Sequence, residues 1–251
     1  LVAVRISARS GLPTMLLYLG IGLAFGDGGA GIAFDNAALT QVLGYAALIL
    51  ILAEGGLTTP WNGIRKAVFP AIVLSTVGVF VSIGVVAVAS HLLLGLTWPM
   101  ALLMGAILSS TDAAAVFSVL RDVPLPTRLR GILEAESGFN DAPVVIITTA
   151  FALQLTEGDA PDPAWQLALL ALVELGGGAI IGIAVGWLGG KTVRLLARGT
   201  SGLFAIGVIA VPVLGYAVAA SVHASGFIAA YLAALVLGNM RLPHRTAVNG
   251  F

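Results

Sequence analysis

Cysteine is absent from the 251 residues, which excludes a disulfide framework, a thiolate metal site and a cysteine nucleophile. Charge is scarce too: Asp, Glu, Lys and Arg make up 10% of the chain, against roughly 25% in soluble domains. The three histidines, His91, His223 and His244, are far apart in the chain and none sits in a metal-type spacing, so they read as interfacial or loop residues with no resident metal or cofactor implied. Formal net charge is zero, and nothing calls for a nucleic-acid partner. What fills the chain is apolar: hydrophobic residues make up 59% and mean hydropathy is +1.04. That composition predicts an all-α membrane helix bundle with lipid as its solvent. Leu1–Ser10 carries Arg5 and Arg9 without an apolar stretch, so it is no signal peptide. A start without Met and an end in a polar stretch give the expectation of a piece of a longer protein.

Apolar stretches bounded by Gly, Pro and charge predict eight spans: Leu12–Phe25, Ala38–Ala53, Phe69–Leu94, Pro99–Leu120, Ile132–Leu155, Trp165–Leu188, Leu203–Ala220 and Gly226–Gly238. The first, second and last are shorter than the roughly 20 residues needed to cross. The charges test the count independently, because cytoplasmic loops collect Lys and Arg. All 12 basic residues fall before span one or after spans two, four, six and eight. The intervening loops hold Asp27, Asp35, Glu157, Asp159 and Asp162 and no basic residue. One span missed or invented would break this alternation, which puts both ends of the chain on the cytoplasmic side. Most of the 32 glycines lie within the spans, where small residues let helices approach closely.

Six acids remain at membrane depth or near its edge: Glu54, Asp112, Glu134, Glu136, Asp141 and Glu174. A charge at the helix centre costs on the order of 2.5–3.5 kcal/mol even on the lenient insertion scale, and by default it marks an ion or proton path. At about 1.5 Å per residue, Asp141 lies within a turn of the middle of span five, and Asp112 reaches the same level on span four. Helical spacing puts Glu134, Ser137, Gly138 and Asp141 on one stripe and Glu136 with Asn140 on the next. A hydroxyl one turn below a carboxylate suits a hard cation, which is held by oxygens. The polar run Leu108-Ser109-Ser110-Thr111-Asp112 invites local unwinding that frees carbonyls for the same site, a known transporter device. Against this stands a structural reading in which buried Ser, Thr and Asn only join helices. No Lys or Arg within the membrane is available to neutralise Asp112 and Asp141. Glu174 has no polar companion in its span. Glu54, in Ala53-Glu54-Gly55-Gly56, is either solvated at the end of span two or reaches the site through water.

Ser110-Thr111-Asp112-Ala113-Ala114-Ala115-Val116-Phe117-Ser118, followed by Leu133-Glu134-Ala135-Glu136-Ser137-Gly138-Phe139-Asn140-Asp141-Ala142-Pro143, resembles the core of monovalent cation:proton antiporters, most of all the bacterial potassium/proton antiporters of the cell-volume-regulation type. The Asp27-to-Asn36 loop and Glu54-Gly55-Gly56 resemble the same group. The resemblance implies a secondary transporter, not an enzyme, in the bacterial inner membrane, exchanging K⁺ or Na⁺ for H⁺ and working as a homodimer. By position it implies that Asp141 carries the proton or the cation. Ser137 and the Thr111 carbonyl then coordinate the ion, Asp112 completes the charged centre, and Glu54 acts through water. The Asn140-Asp141 pair corresponds to the form associated with electroneutral exchange. Glu136 implies an Arg partner on a later helix; with that helix absent Glu136 is left an orphan, and Glu134 is grouped with it as charge-balancing.

The family's membrane domain has roughly a dozen helices or more in two inverted repeats. The resemblance therefore makes residues 1–251 one incomplete transmembrane domain, with 1–66 and 164–251 as scaffold and dimerisation helices and 67–163 as ion-binding core helices. Its first helix, its last four or so and any cytoplasmic domain are then missing. The mechanism expected is competition at one carboxylate with alternating access, because an unpaired buried carboxylate is too costly to cross a dry intermediate. Two other classes compete: a cation channel or sensor on the same scaffold, and an intramembrane aspartyl enzyme whose two aspartates share a proton. The enzyme reading finds no Gly-x-Gly-Asp motif, the nearest match being Ala24-Phe25-Gly26-Asp27.

Overall fold

The fold comes from a computed structural model, which describes residues 14–111, 126–157, 164–196 and 201–240. Every described element is helical: α1 (Thr14–Phe25), α2 (Ala37–Thr58), a short α3 (Trp61–Ile64), α4 (Val68–Val73), a π-helical turn (Leu74–Gly78), α5 (Val79–Leu94), α6 (Trp98–Leu108), α7 (Thr127–Glu157), α8 (Ala164–Leu196), α9 (Ser201–Ser221) and α10 (Gly226–Asn239). Each of the eight apolar stretches read from the sequence holds a helix. Among the described residues, four stretches are long and apolar enough to cross a membrane: Ala37–Thr58, Val68–Leu94, Leu169–Leu195 and Phe204–Ser221. Shorter apolar helical stretches are Leu16–Phe25, Trp98–Leu108, Pro143–Leu153 and Gly226–Asn239.

The boundaries differ from the sequence reading for local reasons. Span two was expected to end at Ala53, yet α2 runs on to Thr58. The hydroxyls of Thr58 and Thr59 donate to the Glu54 and Gly55 carbonyls at 2.8 and 2.6 Å, giving partners to last-turn oxygens that a helix end leaves open. Span four was expected to reach Leu120; α6 stops at Leu108, and residues 112–120 lie outside the described residues. Ser109 caps it, its hydroxyl donating to the Gly105 carbonyl, and Ser110 and Thr111 are not helical. Span three carries the π-helical turn, an interruption with no Gly or Pro at its start to announce it.

The chain divides into Leu1–Tyr45 with Asp112–Pro126, and Ala46–Thr111 with Thr127–Phe251. In the first unit α1 leads into a turn with Gly31 at φ +76°, and the Asn36 carboxamide oxygen caps α2 by accepting the Leu39 N–H at 2.9 Å.

In the second unit α8, α9 and α10 pack on one another. Gly178 lies against Ser225, Gly182 against Ala229 and Gly186 against Ala233, each pair 47 residues apart. A constant offset means that α8 and α10 run parallel, backbone on backbone: a Cβ on Gly182 would fall 2.5 Å from the Ala229 carbonyl oxygen. Gly189 meets Val211 and Gly207 meets Val193, an inverted pairing that sets α9 antiparallel to α8. Val193, Phe204, Val208, Val211, Ala233 and Leu237 fill the seam between the three.

A second cluster forms around α7, which packs on α4, the π-helical turn and α6. Val79 and Ile83 of α5 and Ala106 of α6 meet Val144 and Ile147 of α7. The α5–α6 hairpin turns at Gly95, whose φ of +67° few other residues adopt. His91 lies at that turn, its Nδ1 2.7 Å from the Leu96 carbonyl and its ring stacked on Trp98. Within the hairpin, and again from α8 through α9 to α10, successive helices reverse direction.

Candidate functional site

The site begins where α6 breaks off. Ser109, Ser110 and Thr111 offer hydroxyls that compete with the helix for backbone partners, and the chain leaves the helix there. Thr111 then meets α7, two side chains of which face it. Glu136 and Asn140 are four residues apart and so neighbours on one helix face. The Asn140 Nδ2 donates to Glu136 Oε1 at 3.0 Å and lies 3.3 Å from the Thr111 carbonyl oxygen. It also donates to the Thr111 hydroxyl oxygen, and that hydroxyl donates to Glu136 Oε1 at 3.1 Å. Among the described residues, three polar groups, one at the broken end of α6 and two on α7, close on one another without a basic residue.

Asn140 is fully buried, so the use of its amide is decisive. Its nitrogen is committed to Glu136 and Thr111, while its Oδ1, equally buried, has no hydrogen-bond partner among the described residues. A buried acceptor without a donor is rare in native structures and points to a water or an ion. Pro143, three residues on and inside α7, lacks an N–H, so the Phe139 carbonyl receives no amide from its i+4 residue. Two oxygens without their usual donors thus lie within two residues of Asp141.

The remaining candidates separate. Asp112 lies outside the described residues. Glu134, Ser137 and Asp141 have their backbone in α7, and their side chains lie outside what is described. Glu136 was expected to lack its Arg partner; among the described residues, the amide one turn along α7 and the hydroxyl of Thr111 at the broken end of α6 donate to it. Glu54 is exposed and lines a pocket of about 200 Å³ with Leu50, Ala53, Leu57, Thr58, Val208 and Ile209, facing α9 and not the Thr111 cluster. Glu174 was read as lacking a polar companion in its own span; from outside it, His223 lies within electrostatic reach of its carboxylate, and its main-chain carbonyl accepts the Ser225 N–H at 2.9 Å.

Two residues escaped the sequence reading. Asn239, at the end of α10, accepts the Trp61 N–H at 2.8 Å and donates to the Thr59 carbonyl at 3.0 Å, tying the α2–α3 connection to α10. Only long-range contact reveals this, and no local pattern announces it. Thr148 in α7 has a buried hydroxyl without a partner; its place two turns beyond Asn140 was visible as a spacing.

Compared with known proteins, the sequence matches the family described as sodium/hydrogen exchanger, transmembrane, over residues 1–249. It is 40% identical over 249 residues to the K(+)/H(+) antiporter NhaP of Alkalimonas amylolytica, covering 97% of this chain and 42% of that protein. It is 37% identical over 235 residues to the K(+)/H(+) antiporter NhaP2 of Shewanella sp. strain MR-4, covering 93% and 41%. The Na(+)/H(+) antiporter ApNhaP of Aphanothece halophytica is 30% identical over 177 residues, covering 69% and 33%. The chain spans about two fifths of the length of the first two relatives.

Proposed function

The chain belongs to the sodium/hydrogen exchanger family, and from that premise we propose that it is the ion-binding portion of a multi-pass membrane antiporter exchanging a monovalent cation for protons. The observation that carries this reading is the Thr111–Glu136–Asn140 cluster: a broken helix end and a buried amide oxygen without a donor, beside Asp141 in the chain. Acceptors in excess of donors, close to a carboxylate, suit a small cation that gives up its water.

In this mechanism Asp141 holds either the proton or the cation. The Ser137 hydroxyl, the Thr111 carbonyl and Asp112 complete the cation's shell, and Glu54 acts through water. Asn140 and Glu136 hold the broken end of α6 in register with α7, and Glu134 balances charge nearby. Binding is competitive, so a bare Asp141 does not cross the closed intermediate; that is alternating access, with residues 67–163 moving against 1–66 and 164–251. Potassium is the favoured cation because two relatives of higher identity are named for it; sodium is the second reading, supported by ApNhaP. The location is the bacterial inner membrane, with both ends of this chain cytoplasmic and two copies forming the working unit.

The test is proton efflux from vesicles holding the protein as the cell makes it, driven by added KCl or NaCl. Asp141→Asn removes cation-driven proton movement while the protein still inserts. Exchange retained by that variant would sink the assignment, and flux that neither saturates nor opposes protons would favour a channel.

A further inference from the structure

Threonine inside a helix ordinarily turns its hydroxyl back onto the carbonyl of the preceding turn. Thr40, Thr58, Thr76, Thr156 and Thr192 all do so here. Thr156 shares α7 with Thr148, yet the Thr148 Oγ1 is buried and bonds nothing among the described residues. Its neighbours along the same face are Val144, Ile147 and Phe151, all in the apolar cluster with Val79, Ile83 and Ala106. Valine has the same shape and would fill this position without burying an unpaired hydroxyl.

We propose that Thr148 marks a second oxygen site on α7, which holds a buried water on the cation's route and lies two turns beyond the Asn140 cluster. The inference rests on the cation-exchange reading above. Asn140 Oδ1 and Thr148 Oγ1 are the two ends of this stretch, eight residues and about 12 Å apart along the helix. Both are buried acceptors without a donor. Val144 and Ile147, buried against α5 and α6, lie between them and close the stretch in this structure. A water at Thr148 takes the hydroxyl and the second lone pair of the Val144 carbonyl, one turn back, as partners. When the apolar layer parts, it is the first polar contact for a cation leaving Asn140.

Two measurements on the protein as the cell makes it test this. In the first, brief X-ray radiolysis in ¹⁸O water generates hydroxyl radicals from bound water, and these label the nearest side chains. Phe151, one turn from Thr148, takes up label in the wild type and in Thr148→Ser, and at least several-fold less in Thr148→Val. Equal labelling in all three, or none in the wild type, overturns the water site. In the second, Thr148→Val raises the cation concentration for half-maximal exchange several-fold with no loss of melting temperature, and Thr148→Ser restores it. A Val variant that loses label but exchanges normally overturns the place on the route. A wild type that shows label but no exchange at all overturns both the antiport reading and the route, and leaves the water site standing.

Discussion

Asn140 Nδ2 stands 3.0 Å from Glu136 Oε1, one turn back along α7, so the nitrogen end of this buried amide faces the carboxylate and the oxygen end faces away. The orientation is fixed by chemistry: only the nitrogen can donate, and Glu136 and Thr111 both present acceptors. Glu136 therefore decides where the Asn140 oxygen points, although in the proposed site it touches no ion.

Asn140→Asp sets an acceptor against acceptors. The variant loses the bonds to Glu136 and Thr111 and places two carboxyl groups within about 3 Å, at a cost of about 2–3 kcal/mol. The melting temperature in detergent should fall accordingly. An unchanged value would mean that the amide does not face Glu136.

Glu136→Gln and Glu136→Ala should part company. The glutamine carbonyl still accepts from Asn140 and Thr111, and stability should stay within about 1 kcal/mol of the parent, whereas alanine strands a buried amide and costs about 1–3 kcal/mol. Equal losses for the two would argue that charge, and not hydrogen bonding, holds the cluster.

The glycines of α8 predict a graded response. A methyl group on Gly182 meets the Ala229 backbone at 2.5 Å, and overpacking of this kind costs about 1–3 kcal/mol. Gly84 in α5 has nothing within 4 Å of the same atom, so Gly84→Ala should be neutral or gain up to about 1 kcal/mol from helix propensity. Urea or thermal melts of the pair measure the difference directly.

Asn239→Ala should loosen the α2–α3 connection without disturbing the Thr111 cluster. It removes the acceptor for the Trp61 amide and the donor to Thr59, worth about 1–2 kcal/mol as a helix cap. Hydrogen exchange at Trp61 should speed up by roughly tenfold, with Asn140 and its neighbours unaffected.

That each apolar run holds a helix among the described residues was legible because apolar runs and the basic loops report the same thing twice. Ends were less so. Ala53-Glu54-Gly55-Gly56 looks like a stop, but Gly56 is small because the Tyr231 backbone lies 2.5 Å from where its Cβ would be: a packing requirement wrote a sequence that resembles a helix break. The broken end of α6 was foreseen from its hydroxyls, and helical spacing put Glu136 and Asn140 on one face, though not the hydrogen bond that joins them. What spacing could not supply was Thr111 as the third member, since that depends on how α6 ends against α7. The π-helical turn left no trace in Val73-Leu74-Ser75-Thr76-Val77, because nothing in those side chains forbids an ordinary helix.

The parallel seam of α8 and α10 bears on how the protein is made. Residues that touch across it are separated by 47 positions, so the ribosome finishes one side well before the other exists. At 5–20 residues per second, about 2–9 s pass between Gly178 and Ser225. During that wait α8 sits in the bilayer with its glycine face bare, open to any helix that presents small residues. Slow codons or a translational pause between Leu196 and Ser225 would lengthen that exposure, and misassembly of the nascent chain should rise with it.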